Sequence, residues 1–476
     1  MEAGSHFTWL DFIVLTIYFF LSMGVGGYFY FTGKSRDTEG YTAAGRSLPG
    51  IVVGLSILAT YLSSISFLAL PGNAYKGNWN SFVFSLSLPL AAWIAVKYFV
   101  PFYRSRGEVS AYHHLEARFG PWARLYTGIM YLLMQSVRMG SVTFLMALPL
   151  KELLGWDVAT IIIITGVSVT LYSLVGGIVA VIWADAIQSV VLMGGALVCL
   201  ALMLFRMPEG VDQMFAVAAE KDKFSLGSFG PSLMEKTFWV VLLYGVFINL
   251  NNFGIDQNFV QRYAASKSDK EATKSLWLGS LLYIPVSSVF FFIGTALFAF
   301  YQANADQLPE RYADPAMSDR VFPWFIVSQL PPGVTGLLIA AIECPDPVIF
   351  LEPLYVSTLI FGTVGTGIAL VLIRAEGILD TWWILQGIFA GGMLGLFLLG
   401  MVSRRATNPA AIIGVLVGLF VIAWMSTSPL LVDKGILPES LENPLDGNLT
   451  ILFGTTTIIL VGLMATQLLP NRPNSQ

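Results

Sequence analysis

Twelve times along the chain a run of about 20 predominantly apolar residues recurs, the length a helix needs to cross the hydrocarbon core of a bilayer. The runs fall near 7–31, 50–72, 80–103, 124–151, 157–175, 180–205, 237–255, 275–302, 354–374, 381–402, 408–427 and 448–469. Backbone amides and carbonyls cannot go unpaired in lipid, so such a chain must close its hydrogen bonds within helices. The expected fold class is therefore an all-α, multi-pass membrane protein. Composition agrees: 55% of the 476 residues are hydrophobic and 12% are charged, against about a quarter charged in soluble domains. With 26 basic and 30 acidic residues and a net charge of -4, no basic patch argues for nucleic acid; the expected partners are membrane lipid and a small solute. Cys199 and Cys344 stand far apart, in no metal-ligand spacing, so neither a disulfide framework nor a zinc site follows.

The first run has no cationic leader and no small-residue cleavage site, which reads as a retained helix. Lys and Arg resist translocation and mark inner loops. Placing the N-terminus outside puts Lys34, Arg36, Arg104, Arg106, Arg118, Arg262, Lys270, Arg404 and Arg405 inside. That placement requires one further crossing between Arg320 and Leu354.

Two spans carry polar residues where a helix in lipid can least hold them. Residues 50–72 contain Ser56, Thr60, Ser63, Ser64 and Ser66; residues 237–255 run into Asn249, Asn251, Asn252, Gly254 and Asp256. Partly unwound helices free backbone carbonyls for a cation, and two of them in corresponding positions point to an inverted-repeat secondary transporter. On this reading residues 1–476 form a single transporter domain, with repeats at 50–206 and 237–402. The alternative is that these polar groups only join helices to one another.

Charges inside spans add to this. Arg138 lies near the middle of 124–151, where a charge must face a cavity or a partner. Its guanidinium fork matches a carboxylate in two-point fashion, so either an anionic solute or a buried acid is expected beside it. Asp185 lies inside its span and is a candidate sodium or proton ligand, or else a helix-end carboxylate bonded to nearby amides. Lys97, near a helix end, can snorkel to the headgroups.

Four segments, YSLVGGIVAVIWADAIQ (172–188), IDQNFVQRYAASKSDKEA (255–272), FPWFIVSQLPPGVTGLLIAA (322–341) and GGMLGLFLLGMVSRRA (391–406), resemble the sodium:solute symporter family. The pattern is nearest to the bacterial sialic-acid branch. The resemblance spans nearly the whole chain and implies a leucine-transporter-like fold, two inverted five-helix repeats with one extra N-terminal and two extra C-terminal helices. It implies sodium-coupled symport of a small organic solute, with Na+ as the coupling ion, in a bacterial inner membrane. It implies sodium on the carbonyls of Ala59 and Leu62, and a second sodium on Asp185. It further implies solute contacts at Ser63, Ser66, Ser85, Arg138 and Asn249, with Asn252 near an inner gate. In the sialic-acid branch the arginine matching Arg138 holds the solute carboxylate. Sugar symporters have an uncharged residue at that position and an acidic group where Ser85 stands, and both departures favour an acidic sugar over a neutral hexose; the alternative is a sodium symporter for a neutral sugar or an amino acid. Ala184 replaces the threonine usual in the family beside Asp185. Trp383 and Gln386, on the tenth core helix, receive no role.

The thirteenth crossing, 322–353, departs from the family. After GLLIAAI the chain reads ECPDPVIFLEP, with Glu343, Asp346 and Glu352 costly in lipid and three prolines opposing a helix. No serine occurs between Val334 and Val356, so the serine pair that the family sets opposite Ala59 and Leu62 is missing. This predicts a truncated or irregular crossing and an impaired sodium site, leaving a transport-inactive membrane sensor as the alternative function. An enzyme is not expected: there is no H-E-x-x-H or G-x-S-x-G motif, and His113 and His114 read as a surface pair in an inner loop.

Overall fold

A computed structural model describes residues 8–31, 48–63, 65–106, 111–172, 178–342, 355–375 and 377–468. Among these residues the fold is all helical. The helices are α1 (Trp9–Phe31), α2 (Gly50–Tyr61), α3 (Leu70–Lys76), α4 (Val83–Ile94), α5 (Val100–Arg106), α6 (Ala111–Phe119), α7 (Pro121–Leu154), α8 (Val158–Tyr172), α9 (Ile178–Phe205) and α10 (Val211–Glu220). They continue with α11 (Phe238–Gly254), α12 (Gln257–Ala264), α13 (Asp269–Ala303), α14 (Val321–Gln329), α15 (Val334–Ile342), α16 (Tyr355–Leu372), α17 (Ile378–Val402), α18 (Asn408–Asp433) and α19 (Thr450–Leu468). Single π-helical turns at Ile65–Ala69 and Ala95–Phe99 lead into α3 and α5.

Six of the spanning stretches are continuous, and two are bent pairs: α2 with the segment Ile65–Lys76, at 60°, and α11 with α12, at 56°. Shorter apolar stretches at Trp9–Tyr18, Val158–Ser168, Val190–Phe205 and Leu359–Leu372 coincide with the remaining expected crossings. The protein is a multi-pass integral membrane protein, and both interruptions fall where polar residues enter the apolar runs.

The chain divides into two compact units, each drawing on distant parts of the sequence. The first comprises Met1–Phe82, Ser136–Leu226 and Ala265–Trp382; the second comprises Val83–Gln135, Gly227–Ala264 and Trp383–Gln476. In the first, α2 lies along α13 at a separation set by glycine: a Cβ on Gly279 would stand 2.5 Å from Cγ2 of Ile57. Beyond the bend, the end of α3 is held by Lys223, whose Nζ donates to the carbonyls of Tyr75 (2.6 Å) and Gly77 (2.9 Å). A lysine there satisfies terminal carbonyls and complements the negative end of the helix. In the second unit α11 packs on α4, and α18 and α19 form a hairpin.

The irregular crossing is seen as far as Ile342. Pro331, Pro332 and Gly333, the last at φ +86, separate α14 from α15. The first, α14, is nine residues long, about 14 Å at 1.5 Å per residue, and α15 is described from Val334 to Ile342. The start of α15 is capped from outside the helix: the buried carboxylate of Asp11, on α1, accepts from the amides of Gly333 (2.6 Å) and Gly336 (2.9 Å). The approach is close enough that a Cβ on Gly336 would meet the Asp11 backbone at 2.4 Å. Glu343, Asp346, Glu352 and the rest of 343–354 lie outside the described residues.

Candidate functional site

In the first unit, α2 stops at Tyr61 and Leu62 turns extended (φ -85, ψ 105). Hydroxyl side chains near a helix end compete with the backbone for its carbonyls, and the local sequence supplies several. The Ser66 hydroxyl donates to the Tyr61 carbonyl at 2.5 Å, which a continuous helix would have given to the amide of Ile65. Thr60 donates to the Ser56 carbonyl at 2.8 Å. The Leu62 amide closes the last turn onto Leu58 (3.3 Å) and Ala59 (2.9 Å), and the Ser63 carbonyl receives Phe67 at 2.9 Å as the second segment begins.

Arg138 meets this broken end. It rises mid-way along α7 and its Nη2 donates to the carbonyl of Thr60 at 3.0 Å. The guanidinium is half-buried, a cation placed at the negative end of α2. On the neighbouring α13, the Tyr283 hydroxyl lies 3.4 Å from Ser66 Oγ, and the rings of Tyr61 and Tyr283 pack at 4.9 Å. Ala59, Leu62, Ser63, Ser66 and Arg138 are thus brought together within this unit. Asp185 belongs to α9 by its backbone, while its side chain lies outside the described residues. One turn on, Gln188 Nε2 donates to the Ala341 carbonyl of α15 at 2.9 Å, a contact that no motif in the sequence announces.

In the second unit, Asn249 is fully buried on α11. Its Nδ2 donates to Ser87 Oγ (3.2 Å) and to the Gly245 carbonyl (2.8 Å), while its Oδ1 accepts from Asn252 Nδ2 at 3.4 Å. Ser87 gives its own hydrogen to the Phe84 carbonyl at 2.6 Å, which leaves its oxygen to receive Asn249. Ser85, also buried, is two residues away on the same helix. Ser87 is the residue that sequence reasoning missed here, because nothing in FSLS distinguishes one serine from the other. Above Asn249 the rings of Phe84, Tyr244 and Trp383 pack at 5.1 to 6.1 Å, and the Tyr244 hydroxyl donates to the Trp383 carbonyl at 3.0 Å.

The break between α11 and α12 is closed differently. The Asn251 carbonyl accepts the amides of both Ile255 (2.9 Å) and Asp256 (3.0 Å). The Phe253 carbonyl receives the Tyr263 hydroxyl at 3.0 Å, and that of Gly254 the Tyr103 hydroxyl at 2.5 Å. Asp256 then starts α12 by accepting the Asn258 amide at 2.8 Å.

Two readings of the charged residues can be placed. Lys97 is exposed, with its ammonium 5.3 Å from the rings of Trp93 and Tyr98, as a snorkelling lysine should be. The surface histidine pair is corrected. His113 is exposed, but His114 is buried, edge-on to Phe102 at 4.7 Å. Consecutive residues of a helix point about 100° apart, so α6 turns one histidine outward and the next into its core.

A model of the sodium:solute symporter family matches residues 41–343, which is more than half of the chain and includes both breaks, Arg138 and Asn249. The chain belongs to the sodium:solute symporter family. Within the family it is 30% identical over its full length to the sodium/sialic acid symporter NanT of Aliivibrio fischeri, covering 96% of that protein. It is 31% identical over 87% of its length to the sodium/sialic acid symporter SiaT of Proteus mirabilis, covering 89% of it. Its fold matches that of a Na+-coupled sialic acid symporter solved in a substrate-bound, outward-open state, with a TM-score of 0.83 and 26% identity, over 97% of this chain and 98% of that one. The all-α, leucine-transporter-like fold class is therefore correct for this symporter. The family is one of transporters.

Proposed function

We propose that this symporter couples sodium to the uptake of a carboxylate-bearing sugar such as a sialic acid, across a bacterial inner membrane. The observation that carries the reading is Arg138, a guanidinium inside a span that donates to the Thr60 carbonyl at the end of a broken helix. The fork has five N–H donors, so a carboxylate can be taken up in bidentate fashion, and the similarity to NanT and SiaT favours that class.

The mechanism follows from the charge balance at the end of α2. Carbonyl oxygens of Ala59 and Leu62 suit a hard cation, and the negative end of the helix favours one. When a carboxylate draws Arg138 away from Thr60, that end loses its positive partner, and sodium restores the balance. Each ligand thereby raises the affinity of the other, as linkage requires. Asp185 is a ligand for a second sodium; Ser63, Ser66, Ser85 and Asn249 contact the solute, and Asn252 serves the inner gate. Residues 50–206 and 237–402 act as the inverted repeats, with the N-terminus outside.

The test is uptake into proteoliposomes under an imposed inward sodium gradient, with labelled N-acetylneuraminate, glucose and proline in parallel. Accumulation of the acidic sugar alone, abolished without sodium, is expected. Sodium-driven accumulation of glucose or proline in its place contradicts the reading. A second reading, a sensor that binds the same solute without carrying it, is favoured by the absence of serine between Val334 and Val356. Saturable, sodium-dependent binding with no uptake would select it.

A further inference from the structure

Ser66 and Tyr61 face each other across the first break, and the direction of their hydrogen bonds can be worked out from the protons available. A serine hydroxyl has one hydrogen. Ser66 spends it on the Tyr61 carbonyl at 2.5 Å, so the 3.4 Å contact between Ser66 Oγ and the Tyr283 hydroxyl must be donated by Tyr283. The result is a directed relay, from Tyr283 O–H to Ser66 Oγ–H to the Tyr61 carbonyl, running from α13 through the second segment to the last turn of α2. All three residues belong to the first unit, and Tyr283 is buried at 4% exposure.

We infer that Tyr283 is a positioning residue for the cation: it fixes the Ser66 hydroxyl on Tyr61 and so fixes the peptide planes that aim the carbonyls of Ala59 and Leu62. The inference rests on the proposed sodium-coupled function. It assigns Tyr283 no contact with the ion or the solute. Ring packing alone does not explain the residue, because a phenylalanine would keep the 4.9 Å contact with Tyr61 while lacking the hydroxyl. Among the described residues, the hydrogen bond of that hydroxyl is to Ser66.

The experiment uses Tyr283→Phe, Ser66→Ala and the double variant of the full chain. Sodium dependence of N-acetylneuraminate binding is measured on each, together with the maximal amount bound. Expected is a sodium half-saturation raised about five-fold in Tyr283→Phe, the scale of one neutral hydrogen bond, with unchanged maximal binding. Ser66→Ala, which also removes a solute contact, should raise the sodium half-saturation at least as far, and the double variant should lose no more sodium affinity than Ser66→Ala alone. Wild-type sodium dependence in Tyr283→Phe, or losses that multiply in the double variant, overturns the inference.

A second readout needs no ligand. Spin labels at Leu55→Cys and Lys76→Cys, both exposed and on either side of the bend, report the angle between the two halves in a Cys199→Ala, Cys344→Ala background. Tyr283→Phe and Ser66→Ala should broaden the distance distribution alike, and an unchanged distribution in Tyr283→Phe overturns the inference. If wild type binds no acidic sugar, the proposed function falls, and the spin-label distances still decide the role of Tyr283.

Discussion

The two broken helices bend by nearly the same angle, 60° and 56°, yet they close their exposed carbonyls with different chemistry. At the first, the Leu62 amide closes onto Leu58 and Ala59, and the side-chain donors are a half-buried guanidinium and a serine hydroxyl. At the second, the donors are the chain's own amides and the phenols of Tyr103 and Tyr263, at 1% and 0% exposure. A charged donor can trade a carbonyl for a carboxylate at little cost, because it remains fully paired. A buried phenol has nowhere else to donate. On the proposed function the first break is the end that exchanges its partner for a ligand, while the second is a sealed joint. The second also carries a cost of its own: the side-chain amide of Asn251, fully buried, has no hydrogen-bond partner among the described residues.

The largest expected effect breaks the comparison at its first member. Arg138→Ala should weaken binding of the acidic sugar by about 100-fold or more, from the loss of charged hydrogen bonds worth up to about 3 kcal/mol, while Asp256→Ala at the second break should leave affinity unchanged. Competition binding measures both.

Next comes pH, which reaches the first broken helix through its far half. Asp319, in the loop before α14, is buried against Gly72 of α3 and accepts the Ile378 amide at 2.9 Å. Burial pushes its carboxyl up to about 6, and Asp380 adds to the rise, while the Ile378 amide, Lys76 and Arg320 oppose it. The folded protein thus holds this proton more tightly than the unfolded chain does. Its contribution to stability is complete below about pH 4 and is lost as the pH rises through about 6, with an upper bound near 3 kcal/mol. Melting temperatures of wild type and Asp319→Asn across pH 4 to 8 should show the variant flatter; parallel curves would contradict this.

Smaller effects sharpen the sealed joint. Asn251→Leu, which replaces an unpaired amide by an apolar side chain of similar size, should raise stability by about 1–2 kcal/mol. Tyr263→Phe leaves the Phe253 carbonyl unpaired and should lower it by about 1 kcal/mol. Both are read by thermal denaturation in detergent, and neither should change sodium dependence. A changed sodium dependence in Tyr263→Phe would show that the second break is not sealed.

The architecture was legible because lipid leaves a chain so few options. Runs of about 20 apolar residues located the crossings, and the polar residues in or beside them, Ser63, Ser66, Asn249 and Asp256, located both breaks, since a polar group in hydrocarbon needs a partner. Arg138 stood out for the same cause. The donors at the breaks were hidden, because Tyr103 and Tyr283 in apolar runs look like any packed aromatic, and Tyr263 falls in the polar stretch beyond residue 255. Ser87 was hidden for another reason. It lies about 200° around α4 from Ser85, and choosing between those faces requires knowing that α11 packs there. His114 shows the same difficulty, since one step along α6 separates solvent from core. The departure after Gly333 was visible in the residues themselves, but the cap that α15 receives from Asp11, more than 300 residues away, was not.

The central claim, that the first break binds an acidic sugar by trading a carbonyl for a carboxylate, is tested most directly by equilibrium binding of labelled N-acetylneuraminate to purified wild type and Arg138→Ala, each with sodium and with potassium in its place. The account predicts saturable binding in wild type that requires sodium and is lost in the variant. Equal binding by both proteins, or binding indifferent to sodium, would contradict it.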